Sequence, residues 1–455
     1  MIKKILIANR GEIALRIIRA CKEMNIETVA IYSSADKDSL PIALADEAIC
    51  VGSFLAKDSY LHIPNIIQAA LATNCDAIHP GFGFLSENAN FARLVSETGL
   101  IFIGPNYQTI AKLGDKNQAR QMMAQANIPI IKGSDGPIHS LKEARKLAKE
   151  IDYPIIIKAV NGGGGRGMRI CYEEAELENN FKACKSEALA CFNSDLVYIE
   201  KYLLNPKHIE VQILADNFNN VIHLYERDCS FQRRNQKLIE EAPCQTLDAK
   251  LKEQLLTNSV KAAKKLGYNS VGTIEYLVDA NNNFYFMEMN TRIQVEHPVT
   301  EMICNVDIVK EQIKVAANQK LSYSQADIRV SGHAIECRIN AEDIYNDFKP
   351  SPNTIKKLHL PGGNGIRIET AVYTDYTIPP YYDSMILKLI AHGQNRLECI
   401  RKMRFALEEL VIEGVKTNIP FHYYTLYSHK FIRGRYDTSL ASHLSKELND
   451  ARRDF

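Results

Sequence analysis

The chain has no tryptophan, no C-x-x-C pair and no surplus of charge. Nothing functional follows from the first absence; the others each remove a class of protein. Lysine and arginine total 55 against 54 aspartates and glutamates, a net charge of +1, so no global field exists to hold nucleic acid or an anionic membrane. The 11 cysteines are scattered without disulfide or metal-ligand spacing, which predicts reduced thiols and a cytoplasmic protein. No apolar run approaches the roughly 18 residues of a membrane span. The opening MIKKILIANRGE lacks the apolar core of a signal peptide. Two phosphate-binding signatures are also missing. No G-x-G-x-x-G follows the first predicted strand, and no Gly-Lys-Ser/Thr follows the glycine-rich stretch. What remains is an ordinary globular balance, 46% hydrophobic and 24% charged over 455 residues, enough for roughly two to four domains.

The first hundred residues alternate strands (Lys4 to Ala8, Thr28 to Tyr32, Ala77 to His79, Ile101 to Ile103) with helices that open at Gly11 and span Ile63 to Ala72. That order predicts a parallel α/β unit. Glu12 with Arg16, and Arg19 with Glu23, have the i,i+4 spacing of intrahelical ion pairs. The loop His79 to Asn88 follows a strand and holds Pro80, Gly81 and Gly83, a place where α/β proteins bind ligands. Asp115 is placed to cap a helix from Lys116 to Ala126. A strand ending on Lys158 leads into Gly162, Gly163, Gly164, Gly165 and Gly167, and a strand resumes at Met168. Strand, glycine loop, strand predicts a mobile flap whose N–H groups can approach an anion closely. Further strands read at Val197 to Leu203 and His208 to Leu214. The run Glu226 to Lys237 carries Arg227, Arg233, Arg234 and Lys237 between apolar segments, which suits an anion-facing role. Glu336, Arg338 and Asn340 alternate onto one face of a later strand. The last third is β-rich, with a helix from Arg396 to Leu410 and a tail from Ser445 expected as a frayed surface helix.

The stretch Gly272 to His297 is the centre of the reading. Thr273 to Val278 and Phe284 to Met289 form two strands around the turn residues Ala280 to Asn283. If Asp279 and Phe284 close the turn, Glu275 stands directly opposite Glu288. Alternation puts Glu288, Asn290, Arg292, Gln294 and Glu296 on one face, with Phe284 and Phe286 on that face too. Opposite partners are about 5 Å apart, where two carboxylates repel by roughly 3 kcal/mol at an effective dielectric of about 20. A bound cation reverses that sign. The all-oxygen donors Glu275, Glu288 and Asn290 suit Mg²⁺ or Mn²⁺ beside substrate phosphates.

Seven motifs in order resemble the biotin carboxylase component of biotin-dependent carboxylases, in the ATP-grasp superfamily. They are IANRGEIALRI (Ile7–Ile17), HPGFGFLSENANFA (His79–Ala92), IKAVNGGGGRGMR (Ile157–Arg169), ERDCSFQRRNQK (Glu226–Lys237), FMEMNTRIQVEHPVTE (Phe286–Glu301), GHAIECRINAED (Gly332–Asp343) and PPYYDSMI (Pro379–Ile386). The resemblance implies a Rossmann-like N-terminal domain over 1–114. It implies an ATP-grasp domain over 115–330 with a lid at about 131–203, and a β-rich C-terminal domain over 331–446. It further implies that Lys116, Lys158 and His208 contact ATP phosphates or ribose, and that Glu200, Lys201 and Leu203 hold adenine, with Leu277 also at the nucleotide. Gln232 and Asn235 would complete the nucleotide site. Glu275 and Glu288 would hold Mg²⁺ with Asn290 nearby. Lys237, Arg292, Gln294 and the Val295 backbone would bind bicarbonate, with Glu296 as its base. Arg338 would stabilise the biotin ureido oxygen, beside Phe82.

Two positions depart from the family pattern: Phe82 where many relatives have Tyr, and Asn235 where many have His. The chain carries no Met-Lys-Met biotinylation motif, so the resemblance implies biotin on a separate carrier protein. It also implies a separate carboxyltransferase, a homodimer, and a place in acetyl-CoA carboxylase and fatty acid biosynthesis, or in a two-subunit pyruvate carboxylase.

Overall fold

The computed structural model describes residues 2–160 and 167–453. The N-terminal unit is a parallel sheet of β1 (Lys4–Ile7), β2 (Glu27–Ser33), β3 (Glu47–Gly52), β4 (Ala77–His79) and β5 (Ile101–Phe102), in the order β3-β2-β1-β4-β5. Central β1 buries Ile5, Leu6 and Ile7 in succession, as a strand covered on both faces must. Edge strand β3 is half-exposed and was not predicted.

Helix α1 (Gly11–Glu23) forms as predicted, but its charges do not pair along the helix. Arg16 reaches Glu301 at 3.0 Å and Asp307 at 2.7 Å, and Arg19 reaches Glu369 at 3.1 Å. Glu12 meets Lys388 at 3.1 Å, and Glu23 meets Lys310. The expected i,i+4 pairs are replaced by partners more than 280 residues away in sequence; Glu12 and Arg16 are themselves buried, while Arg19 and Glu23 stay largely exposed.

Strands β6 (Ile155–Ala159), β7 (Met168–Cys171) and β8 (Val197–Lys201) make a small antiparallel sheet, ordered β7-β6-β8. With the helices Leu141–Ile151 and Glu174–Phe192 it closes its own hydrophobic cluster, including Ala144, Ile157, Leu177, Phe181 and Ile199.

An eight-stranded antiparallel sheet forms the rest of the framework. It contains β9 (Lys207–Ala215), β10 (Val221–Arg233), β11 (Gln236–Ala242), β12 (Ser270–Val278), β13 (Phe284–Asn290) and β14 (His333–Asn340). The order is β13-β12-β9-β10-β11-β14, continued by Met385–Gly393 and Ile366–Thr370. The sheet runs without a break past residue 330. The last helix, Leu440–Arg453, starts before Ser445: Leu440, Ala441 and Leu444 are buried and dock its first turn, and residues 445–450 continue it along the surface.

In the hairpin, Glu275 does stand opposite Glu288, but by a different route. Asp279 N–H donates to the Asn283 carbonyl, and Val278, not Asp279, pairs with Phe284. The ladder then slips between Glu275 and Tyr276, leaving Met287 as the extra residue. The bulge restores the glutamate pairing and flips the aromatic residues. Phe284 and Phe286 join Ile274, Tyr276 and Met289 in the core, away from Glu288. Beyond Asn290 the chain leaves the strand, so Arg292, Gln294 and Glu296 converge through a loop that ends at the helix His297–Cys304.

Candidate active site

One cleft of about 970 Å³ lies between the N-terminal sheet, the small sheet and the large sheet. Its wall at the small sheet carries Lys158, Glu200, Lys201 and Leu203, and Lys116 lines it from the start of the helix Lys116–Gln125. The large sheet contributes His208, Gln232, Asn235, Lys237, Leu277, Glu275 and Glu288. The end of β13 adds Asn290 and the loop after it Arg292, Gln294, Val295 and Glu296; β14 adds Arg338, and the loop after β4 adds Phe82. The predicted residues, drawn from the whole length of the chain, therefore meet in one place. Gly167 stands off the cleft: its φ is +68° and a Cβ there would lie 2.8 Å from Ala159. Gly162 to Gly165 lie outside the described residues.

Lys237 is the hub. Its Nζ donates to Glu210 at 2.7 Å, Glu275 at 3.0 Å and Glu296 at 2.7 Å. Burial opposes the charge, yet Glu210, Glu275 and Glu296 hold Lys237 well above the ordinary lysine range. Glu275 also accepts from His208 at 2.7 Å, Asn290 at 2.8 Å and Gln294 at 2.6 Å. Against burial, Lys237 and His208 hold the Glu275 carboxyl far below its usual range. Glu288 goes the other way, pushed up by burial and then by Glu275. Two glutamates on facing strands, one firmly ionised and the other raised by it, form a donor set that fits a hard divalent cation.

Glu296 is bracketed by Lys237 and by Arg338, whose guanidinium lies 2.9 Å from Oε2. Burial pushes Glu296 up, but Lys237, Arg338 and Arg227 hold it well below the carboxylate range. Arg338 also donates to Glu240 at 2.6 Å. Burial lifts Glu240 to about 7, against Arg338. Arg292 donates to Glu87 at 2.8 Å and to Asn290 Oδ1 at 2.8 Å. At the far wall Lys158 Nζ is 2.6 Å from Glu200, which Arg120 also contacts. Burial, then Lys116 and Arg120, pull Lys158 down to about 8. Crowded cations of this kind are built for a polyanion.

The residues that hold the others are Arg227, expected above to face an anion but turned into the core, and Glu87, Glu210 and Arg120, which sequence reading missed. Arg227, fully buried, donates to Glu210, to Gln212 and Thr300 at 2.7 and 2.9 Å, and to Gln294 Oε1 at 2.7 Å. Gln294 is thereby fixed with its Nε2 toward Glu275. Glu87 accepts from the Thr291 N–H at 2.9 Å and steers Arg292. Arg227 and Glu87 both lie within motifs quoted above; nothing signalled Glu210 or Arg120. Arg234 and Asn235 form the two-residue turn between β10 and β11, with φ of +49° and +63°. Asparagine tolerates that backbone well. His208, Glu210 and Glu275 also come within 4.8 Å of one another, but Arg227 and Lys237 already neutralise Glu210.

This assembly is that of an ATP-grasp ligase. Family models for the biotin carboxylase N-terminal domain match residues 1–110, for the ATP-binding domain of the carbamoyl-phosphate synthase L chain residues 115–324, and for the biotin carboxylase C-terminal domain residues 336–443. Biotin carboxylase 1 of Bacillus subtilis is 55% identical over 439 residues, 96% of this chain and 98% of that protein. Biotin carboxylase of Haemophilus influenzae is 53% identical over 435 residues, 95% and 97% of the two chains. The chain belongs to the biotin carboxylase family. The Campylobacter jejuni biotin carboxylase–β,γ-ATP complex superposes with a TM-score of 0.94 at 50% identity, covering 97% of this chain and 99% of that one. The biotin carboxylase domain dimer of Hydrogenobacter thermophilus 2-oxoglutarate carboxylase, solved with MgADP, ADP and bicarbonate, gives 0.93 at 49% identity, covering 98% and 99%.

Proposed function

We propose that the chain carboxylates biotin on a separate biotin carboxyl carrier protein, consuming ATP and bicarbonate, as the first half-reaction of an acetyl-CoA carboxylase. The observation that carries this reading is Glu296 held between Lys237 and Arg338, next to the facing pair Glu275 and Glu288. A nucleotide-binding module has no need of a carboxylate bracketed by two cations.

In this reading bicarbonate lies against Lys237, Arg292, Gln294 and the Val295 N–H. An incoming anion shares Lys237 and Arg338 with Glu296, which loosens the pairings that depress it and makes it a stronger base. Glu296 takes the bicarbonate proton, and the freed oxygen attacks the γ-phosphorus of ATP. The bond to ADP breaks, and carboxyphosphate forms. It splits into CO₂ and phosphate. The phosphate removes the biotin N1′ proton, the charge moves to the ureido oxygen beside Arg338, and N1′ adds to CO₂. Lys116, Lys158 and His208 position the phosphates, while Glu200, Lys201, Leu203 and Leu277 hold adenine near Gln232 and Asn235. Glu275 and Glu288, near Asn290, would hold Mg²⁺ or Mn²⁺, which would supply positive charge at the phosphates. The small sheet with its own core serves as the lid that keeps water from the intermediate. Phe82 offers biotin an apolar ring without a hydroxyl.

We place the chain in the cytoplasm as a homodimer working with a carboxyltransferase; the dimeric Hydrogenobacter domain supports the assembly. Among the described residues no helix is long and apolar enough to cross a membrane. A second reading, the same half-reaction serving a 2-oxo acid, is favoured by likeness to the biotin carboxylase subunit of a pyruvate carboxylase, TM-score 0.85 at 49% identity. Labelled bicarbonate supplied with ATP, Mg²⁺ and free biotin should yield labelled, acid-labile carboxybiotin, and Arg338→Ala should leave biotin unlabelled. ATP consumption without label in biotin would overturn the reading.

A further inference from the structure

Lys388 lies on Met385–Gly393, directly opposite Arg338 across the ladder, and is completely buried. Its Nζ donates to the Val295 carbonyl at 2.8 Å and sits 3.1 Å from Glu12 Oε2 on α1. Glu336, diagonal to it on β14, is also buried, and among the described residues neither of its oxygens has a hydrogen-bond partner. Burying an ammonium costs several kcal/mol, and an ion pair at such a place is often no better for stability than an apolar side chain of similar volume. Stability therefore does not account for a lysine here. Its one directed hydrogen bond gives a reason. The Val295 carbonyl belongs to the same peptide unit as the Glu296 N–H, so anchoring that oxygen orients the backbone from which the Glu296 side chain projects. Glu12 keeps the ammonium in place from the N-terminal unit.

We infer that Lys388 is a positioning residue: by holding the Val295 carbonyl while paired with Glu12, it sets the turn that presents Gln294, Val295 and Glu296 to bicarbonate. This rests on the bicarbonate reading above. Two contacts that join three separate parts of the chain make it specific. Residue 12 comes from α1, residue 295 from the loop after β13, and residue 388 from the strand beside β14.

Steady-state kinetics on the full chain test it. The double variant Lys388→Met/Glu12→Gln removes both charges together, so it should melt near the wild-type temperature while the bicarbonate KM rises at least about tenfold and the ATP KM stays within about twofold. Lys388→Gln, which keeps a donor for Val295, should recover most of the bicarbonate affinity. Glu12→Gln alone leaves the lysine in place and should raise the bicarbonate KM by about threefold; it decides the matter if the lysine variants fail to fold. An unchanged bicarbonate KM in Glu12→Gln and in any folded Lys388 variant, or equal losses in the Met and Gln variants, overturns the inference. If ADP release by the wild-type chain does not depend on bicarbonate, the function itself is rejected; if it does and the variants match it, only the role of Lys388 is.

Discussion

Glu288 and Lys158 both stand at the nucleotide end of the proposed reaction. Glu288 is raised by burial and by Glu275, so Glu288→Gln relieves a repulsion while removing a metal charge. The expected result is a melting temperature at or above wild type and a loss of at least about 100-fold in ATP turnover; full turnover would refute the metal assignment. Lys158 is lowered to about 8 by burial, Lys116 and Arg120. The charged form attracts phosphates, so kcat/KM for ATP should fall as pH rises through about 8. In the nucleotide complex the phosphates favour the charged form, so the same limb in kcat should lie at higher pH. Limbs at one common pH would contradict this. Most of these residues were legible in the sequence, because motif spacing and strand alternation name individual side chains. The facing glutamates were found from a turn that closes one residue away, since the bulge at Met287 cancels that difference. Glu210 and Arg227 meet only when β9 pairs with β10, a contact no local pattern announces.

At the scale of elements, the sheet is cross-braced by buried acids on β11. Glu241 accepts from Arg396 at 2.5 Å, His333 at 2.7 Å and Tyr436. Burial opposes ionisation, but Arg396 and His333 hold the carboxyl below its usual range. With the folded value depressed, its contribution is complete above the unfolded value near 4.3 and is lost as pH falls through the folded value. Glu241→Gln should cost about 3–5 kcal/mol in chemical denaturation at neutral pH and flatten the acid limb of stability. A cost under about 1 kcal/mol would show the node to be dispensable. The sequence revealed strands and helices well wherever burial imposes a period. It misjudged α1, whose charge spacing fits an isolated helix, because packing offered Glu12, Arg16, Arg19 and Glu23 partners that sequence distance hides.

At the scale of the molecule, the parallel sheet, the small sheet and the continuous antiparallel sheet meet at one cleft, and α1 ties the parallel sheet to the large sheet and to the helices that follow β13 through ion pairs. The three-part organisation was legible from motif order. The sheet that runs on past residue 330 was not, because strand pairing between distant segments leaves no mark on either segment alone. In the proposed reading the bicarbonate and biotin sites meet at Lys237, Glu296 and Arg338, beside the facing Glu275 and Glu288, so chemistry at one end must depend on what fills the other. The direct measurement is ADP release by the purified chain with Mg²⁺, with and without bicarbonate and free biotin. The account predicts turnover that requires bicarbonate and rises with biotin. ADP release indifferent to both would contradict it.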